Sequence, residues 1–375
     1  MKGILIGICR DKNKKRDVKR SLRELGGLLE AIGGKVIGYI VQKRSRPDPG
    51  YFIGEGKAKE LKQVIEGTGA DAVIFDDPLT PSQVRNLEKI TGVKVLDRTD
   101  LVLEIFSRRA RSREAKLQVE LARLSHELPR IYGRGKSLSR LGGGVGTRGP
   151  GEQVAEVKRR VIKNRIHQIK RELEEVRRMK KIQRKRRNTP EKGEAIIKVA
   201  IVGYTNAGKS TLLKTLTSRE TKIADMLFAS LETTTSVRRI NGSVKILFTD
   251  TVGFINKLPP ELIESFKTTL EEVIEADIIL HVVDISDERW LDHISSVRDI
   301  LHQLGTETKP IIYVLNKADK IVESCDEVDS LPHPAFIESP AVVISANKRW
   351  NISPLIDKIV EVAEKYGTVD ISKTA

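Results

Sequence analysis

From the N-terminus to about residue 100, short apolar runs alternate with amphipathic stretches. "GILIGICR", "GKVIGYIV", "ADAVIFDD" and "VKVLDR" are strand-length, and residues 18–32, 57–66 and 80–90 between them have helical spacing. Thr80 followed by Pro81 reads as an N-cap and a first helical residue. The Thr hydroxyl can accept from an orphan N–H, and Pro lacks the N–H that would be orphaned next. Strands alternating with helices predict a small, mostly parallel sheet.

Past residue 100 the period changes. Leu117, Leu121, Leu124 and Leu128 step by four, three and four, and Ile162, Ile166, Ile169, Leu173 and Val176 continue the same rhythm. Such steps keep apolar side chains on one side of a helix, so two long helices are expected to pack as an antiparallel pair. The competing reading docks each helix on a different domain. Pro129 ends the first helix, and Pro150 with Glu152 opens the second. A glycine-rich loop over 133–151 separates them, with Arg130, Arg134, Lys136, Arg140 and Arg148 along it or at its root. Loops of this length are functional or disordered. Beyond residue 195 apolar strands return, each running into a polar segment. The expected division is an N-terminal α/β subdomain over 1–103, a basic helical pair over 104–187, a charged linker over 188–195, and a third domain over 196–375.

Charge sharpens this division. Net charge is +16, with 26 Lys/Arg against 9 Asp/Glu in residues 101–190 and 21 against 28 in residues 191–375. Basicity concentrated in the helical segment points to a polyanionic partner rather than to a solvated helix face. Two cysteines, Cys9 and Cys325, suggest neither a disulfide framework nor a metal site, which favours a cytoplasmic compartment. No apolar run approaches the ~20 residues that span a bilayer.

Three segments resemble phosphate loops. Gly144, Gly146 and Gly149 have G-x-G-x-x-G spacing, but the residues before them are polar and basic rather than a strand, so no pyrophosphate cradle is expected. "IGEGKAKE" lacks the full spacing and reads as a helix-entry turn, with a second nucleotide site as its alternative. "IIKVAIVGYTNAGKST" is different, because a strand runs into G-x-x-x-x-G-K-S. Backbone N–H groups of Gly203, Tyr204, Thr205, Asn206, Ala207 and Gly208 would cradle phosphates. Lys209 would neutralise β and γ oxygens, and Ser210, ahead of Thr211, would ligate Mg²⁺.

Later strands supply the remaining parts. "VKILFTDTVGF" brings Asp250, Thr251, Val252 and Gly253; Asp250 is placed to hold Mg²⁺ through water, and the Gly253 N–H to sense the γ-phosphate. "PIIYVLNKAD" brings Asn316, Lys317 and Asp319. A carboxylate at Asp319 can accept from guanine N1–H and its exocyclic amine, donors that adenine lacks there. "VVISANKR" brings Ser345, Ala346, Asn347 and Lys348, with the Ala346 N–H directed at guanine O6 and Lys348 over the base. Of Thr233, Thr234 and Thr235, Thr234 is assigned to Mg²⁺ and the γ-phosphate. Lys209, Thr234 and Gly253 are thus the expected catalytic contacts, and Ser210, Thr234 and Asp250 the metal set. Phe254 follows the D-x-x-G, where a phenyl ring cannot orient water, so hydrolysis is expected to be slow without a macromolecular activator. The fold class expected is α/β throughout: a small parallel subdomain, a long antiparallel helical pair and a Ras-like P-loop GTPase domain binding GTP or GDP with Mg²⁺.

In "GYTNAGKST", "DTVGFI", "NKAD", "IGEGKAKEL" and above all "GGGVGTRGPGE", the chain resembles the HflX family of ribosome-associated GTPases over nearly its whole length. The resemblance implies a Mg²⁺-dependent GTPase stimulated by the large (50S) ribosomal subunit, with the glycine loop reaching towards ribosomal RNA. Splitting of stalled ribosomes is implied for bacterial members. Arg140 and Arg148 are the expected RNA contacts, made to shape and phosphate because aromatics for base stacking are nearly absent nearby. The alternative folds this loop back on the nucleotide domain. The expected partner is the 50S subunit with its RNA, the expected state a monomer, and a membrane is not expected. The competing functional class is a GTP-regulated RNA-binding or assembly protein with little turnover.

Overall fold

The computed structural model describes residues 1–11, 15–133, 150–187, 194–217, 234–240, 244–255, 257, 267–331 and 340–367, in two compact units, Met1–Glu175 and Val176–Ala375. Arg140, Arg148 and most of the glycine loop lie outside the described residues, as do 188–193 of the linker.

In the first unit the alternating pattern folds as β1 (Lys2–Cys9), α1 (Lys15–Ala31), β2 (Lys35–Lys43), α2 (Glu55–Thr68), β3 (Ala72–Phe75), α3 (Pro81–Thr91) and β4 (Lys94–Asp97). All four strands are parallel, in the order β2-β1-β3-β4. Thr80 does cap α3: its side chain accepts from the Gln83 N–H while the Gln83 side chain accepts from the Thr80 N–H. Gly54, at a φ of +85°, forms the entry to α2, which is the helix-entry turn expected of "IGEGKAKE".

The first helix expected past residue 100 is two. Helix α4 (Arg98–Arg109) starts under a capping box between Asp97 and Asp100, and α5 (Arg113–Glu127) starts under Ser112. A 3₁₀ turn, Leu128–Gly133, follows and takes Leu128 out of the helical seam. Arg130 turns inward there, 2.8 Å from a carboxylate oxygen of Asp97 and of Asp100. It is therefore committed to the protein rather than to a partner.

Helix α6 (Pro150–Arg187) runs antiparallel to α5. Leu117, Leu121, Ile169 and Leu173 form the buried seam, with Leu124 and Ile166 packed against it. Beside the seam Arg113 meets Glu172 at 3.0 Å, Glu120 accepts from Arg165 Nε and Nη2 at 2.7 and 2.8 Å, and Glu127 meets Lys158 at 3.2 Å. Each advance of seven residues along α5 is a retreat of seven along α6, which only an antiparallel heptad pairing produces.

The second unit contains β5 (Ala195–Gly203), α7 (Lys209–Thr217), β6 (Thr234–Ile240), β7 (Val244–Asp250), α8 (Lys267–Glu275), β8 (Ile278–Asp284), α9 (Trp290–Gln303), β9 (Ile311–Asn316), β10 (Ala341–Val343) and α10 (Ile352–Lys365). The sheet order is β10-β9-β8-β5-β7-β6, parallel except for β6. Apolar clusters cover both faces, one including α7 and α10 and the other α8 and α9. Parallel strands buried on both faces leave their carboxyl ends as the one place where polar loops converge. Among the described residues no helix is long and apolar enough to cross a membrane.

Candidate nucleotide site

The loop between β5 and α7 needs glycine at both ends. A Cβ on Gly203 would run into the Val282 carbonyl of β8. One on Gly208, where φ is +98°, would run into the Asn316 side chain. The chain then enters α7 at Lys209, whose buried ammonium donates to the carbonyls of Gly203 at 3.0 Å and Tyr204 at 2.9 Å. Burial pushes the Lys209 pKa down to about 8, while the Asp250 carboxylate pulls it back up. Thr205 is buried in the same loop, and its hydroxyl has no hydrogen-bond partner among the described residues. An orphaned polar atom beside a buried cation is what a phosphate cradle requires.

Ser210 in the first turn of α7 donates to an Asp250 carboxylate oxygen at 2.8 Å, joining the first motif to the end of β7. A hydroxyl and a carboxylate converging in this way suit a hard cation with oxygen ligands, so the residues fit Mg²⁺. Thr234 opens β6 directly opposite Asp250 in the antiparallel register, which places both side chains on one face of the sheet. Thr251 donates to the Ile201 carbonyl at 2.8 Å and fixes the exit from β7, and Val252 is buried. Gly253 lies against Lys209 and Thr205: an added Cβ would stand 3.1 Å from the ammonium nitrogen and 3.0 Å from the Thr205 methyl. Phe254 donates its N–H to Gly203 O at 3.1 Å and accepts from Thr205 N–H at 2.7 Å. Its ring is 2% exposed, in the core with Leu270, Val273 and Val297.

The base-side residues gather at the ends of β9 and β10. Asn316 donates to Ala207 O at 2.8 Å and accepts from the Ala346 N–H at 3.0 Å, tying the phosphate loop to the "SAN" segment. Lys317 stands at a φ of +70° and pairs with Asp284 at 2.7 Å. Asp319 accepts from the Ser345 hydroxyl, which in turn accepts from the Lys348 N–H at 3.0 Å. Asn206 and Asn347 are exposed, and Thr211 is half-buried. Three partners had no sequence motif. Thr215 of α7 donates to Ala346 O at 2.8 Å, Asp284 ends β8, and Tyr204 stacks on His293 of α9 with centroids 3.9 Å apart. An acidic residue closing an apolar strand was the one signal that pointed at Asp284.

Comparisons with known proteins place the chain among GTPases. Residues 19–107 match the model described as GTP-binding GTPase N-terminal, residues 109–187 the GTP-binding GTPase middle region, and residues 198–317 the 50S ribosome-binding GTPase. The chain is similar to GTPase HflX of Caldanaerobacter subterraneus subsp. tengcongensis, with 46% identity over 343 residues, 91% of this chain and 76% of the relative. It is also similar to GTPase HflX of Escherichia coli K12, with 41% identity over 310 residues, 82% of this chain and 71% of the relative. Among solved structures, a GTP-binding protein from Sulfolobus solfataricus in complex with GDP is 28% identical, with 97% of this chain and 99% of that one covered at a TM-score of 0.46.

Proposed function

The chain belongs to the HflX family of GTPases and is a GTP hydrolase; from that premise we propose that it acts with Mg²⁺ on the 50S ribosomal subunit. Gly203 to Gly208 and Thr211 cradle the phosphates, and Lys209 neutralises β and γ oxygens as charge shifts in the transition state. Ser210, Thr234 and, through water, Asp250 would hold Mg²⁺, which supplies charge neutralisation when bound. The Gly253 N–H senses the γ-phosphate. Asp319 selects guanine, with Ser345 orienting its carboxylate, and Ala346 and Asn347 line the base. Residues 104–187 with their loop make the RNA contact, through Arg140 and Arg148 of that loop, while 196–375 serve as the switch. The protein works as a cytoplasmic monomer.

One observation carries this reading. Four strand ends far apart in sequence are knotted by Ser210–Asp250, Asn316–Ala207 and Asn316–Ala346 around a buried lysine. The Phe254 ring, turned into the core, supports slow hydrolysis alone and faster hydrolysis on the subunit. Co-sedimentation with 30S, 50S and 70S particles in GDP and in a non-hydrolysable GTP analogue, beside phosphate release with and without 50S, tests it. Retention on 50S with the analogue and accelerated release are expected. Turnover already at tens per second without subunits, or no particle binding in either state, would overturn it.

A further inference from the structure

Four basic residues of α1 differ from the lysines of α2. Along α2 each lysine has a glutamate on the same helix: Lys57 with Glu60, Lys59 with Glu55 and Lys62 with Glu66. The helical pair is mixed: Arg113 and Arg165 are matched, while exposed Arg160, Lys163 and Arg171 make no ion pair among the described residues. Lys15, Arg16, Lys19 and Arg23 of α1 are all exposed, and none of the four makes an ion pair among the described residues. Positions 15, 19 and 23 follow one another at i, i+4 and i+8, about 6 Å apart along the axis, with Arg16 beside them. Leu25 and Leu28 are buried on the other side and Leu22 and Leu29 at the row's edge, so the cations form one row facing away from the core.

The fold gains nothing from this row. Like charges one turn apart repel, and Lys15 and Arg16 sit at the end of the helix where the backbone dipole disfavours cations, with Asp17 the only acid in that turn. Arg10, just after β1, and Lys43, the last residue of β2, are neighbours at the carboxyl ends of their strands, because Cys9 and Lys43 are in register, and both are exposed. From Arg10 to Arg23 the chain carries eight Lys/Arg and two Asp. Every exposed residue of α1 is charged, so the helix has no apolar face to insert into lipid. A row of unmatched cations on a helix that itself carries no aromatic residue suits a phosphate backbone rather than bases.

We propose that the exposed face of α1, with Arg10 and Lys43, is a second RNA surface that binds the phosphate backbone of folded ribosomal RNA independently of the glycine loop. The inference rests on the 50S reading above. Its test compares the full-length protein with a variant carrying Lys15→Gln, Arg16→Gln, Lys19→Gln and Arg23→Gln. A control carries Lys57→Gln, Lys59→Gln and Lys62→Gln. Affinity for 50S is measured from about 50 to 300 mM KCl, where each lost phosphate contact flattens the log–log salt slope by about 0.7–0.9. The α1 variant is expected to lose about three units of slope and more than about tenfold in affinity at low salt, and the control neither. Unchanged GDP affinity certifies folding, and Lys19→Glu and Arg23→Glu taken singly, each expected to lower the slope, replace a quadruple variant that misfolds. Equal slopes in wild type and α1 variant overturn the proposal, as does a loss confined to anionic vesicles. If the wild type fails to bind 50S, the functional reading falls, and the same slopes on an RNA duplex of about 20 base pairs still decide the face.

Discussion

Nucleotide affinity should fall as pH rises through 8, because the phosphates need a charged Lys209 and burial has made that charge easy to lose. With the pKa of the free protein at about 8, the lysine is about 0.9 protonated at pH 7, about 0.5 at pH 8 and about 0.24 at pH 8.5. If only the protonated form binds, apparent affinity scales with that fraction, so the GDP dissociation constant rises about fourfold from pH 7 to 8.5. The same argument requires proton uptake of about 0.5 per nucleotide bound at pH 8 and about 0.1 at pH 7. Calorimetric titration in two buffers of different ionisation enthalpy reads the uptake directly. Nucleotide phosphates are already fully ionised above pH 8 and do not contribute. Lys209→Arg is the control, since a guanidinium keeps its charge throughout. Stability without nucleotide runs the opposite way. The folded pKa lies below the unfolded one, so the unfolded chain holds more protons between pH 8 and 10.5, and stability rises with pH across that window. A flat dissociation constant and no proton uptake between pH 7 and 8.5 in the wild type would refute the reasoning.

Two further outcomes follow from burial. Ile169, fully buried in the α5–α6 seam, should lose about 2–4 kcal/mol when replaced by Ala, whereas Val157→Ala, at a position 52% exposed on the same helix, should cost under about 0.5 kcal/mol in urea denaturation. Equal costs would mean that the seam is not an interface. Phe254→Gln should destabilise by about 2 kcal/mol or more, because it buries an amide among Leu270, Val273 and Val297, and should leave intrinsic hydrolysis unraised. A tenfold gain in single-turnover rate would show instead that this side chain can reach the attacking water.

What the sequence made legible was local or periodic. Thr80 with Pro81, the leucine and isoleucine steps, and the G-x-x-x-x-G-K-S spacing each depend on residues within a turn or two of one another. The break between α4 and α5 was illegible because Ala110 and Arg111 carry no glycine or proline, and the cap at Ser112 is a single hydroxyl in a basic run. Arg130 looked like one more loop cation, since its partners Asp97 and Asp100 lie about thirty residues upstream. Longer separations hid Thr215, which meets Ala346 across 131 residues, and the stacking of His293 on Tyr204. Motif residues announce themselves by spacing. The residues that brace them are chosen by the packing of strands that the spacing does not describe.

Phe254 shows what such bracing implies for a switch. Its backbone is bonded on both sides to the phosphate loop, through Gly203 O and the Thr205 N–H, while its ring is packed between α8 and α9. Gly253, one residue earlier, lies close against Lys209 and Thr205, where a methyl group would stand 3.0–3.2 Å from its neighbours. A shift of the Gly253 amide towards a γ-phosphate therefore has two routes. It can break the pair of Phe254 hydrogen bonds, at about 0.5–1.5 kcal/mol each, or it can carry the ring with it and displace Leu270 and Val273 of α8. The interior around the ring is close-packed, and close-packed cores change between discrete arrangements rather than by continuous deformation. The absence of a water-orienting side chain at this position and the presence of an aromatic core residue are then two aspects of one choice. The position after the D-x-x-G thus ties the phosphate loop, through its backbone, to the core that α8 packs against, through its ring.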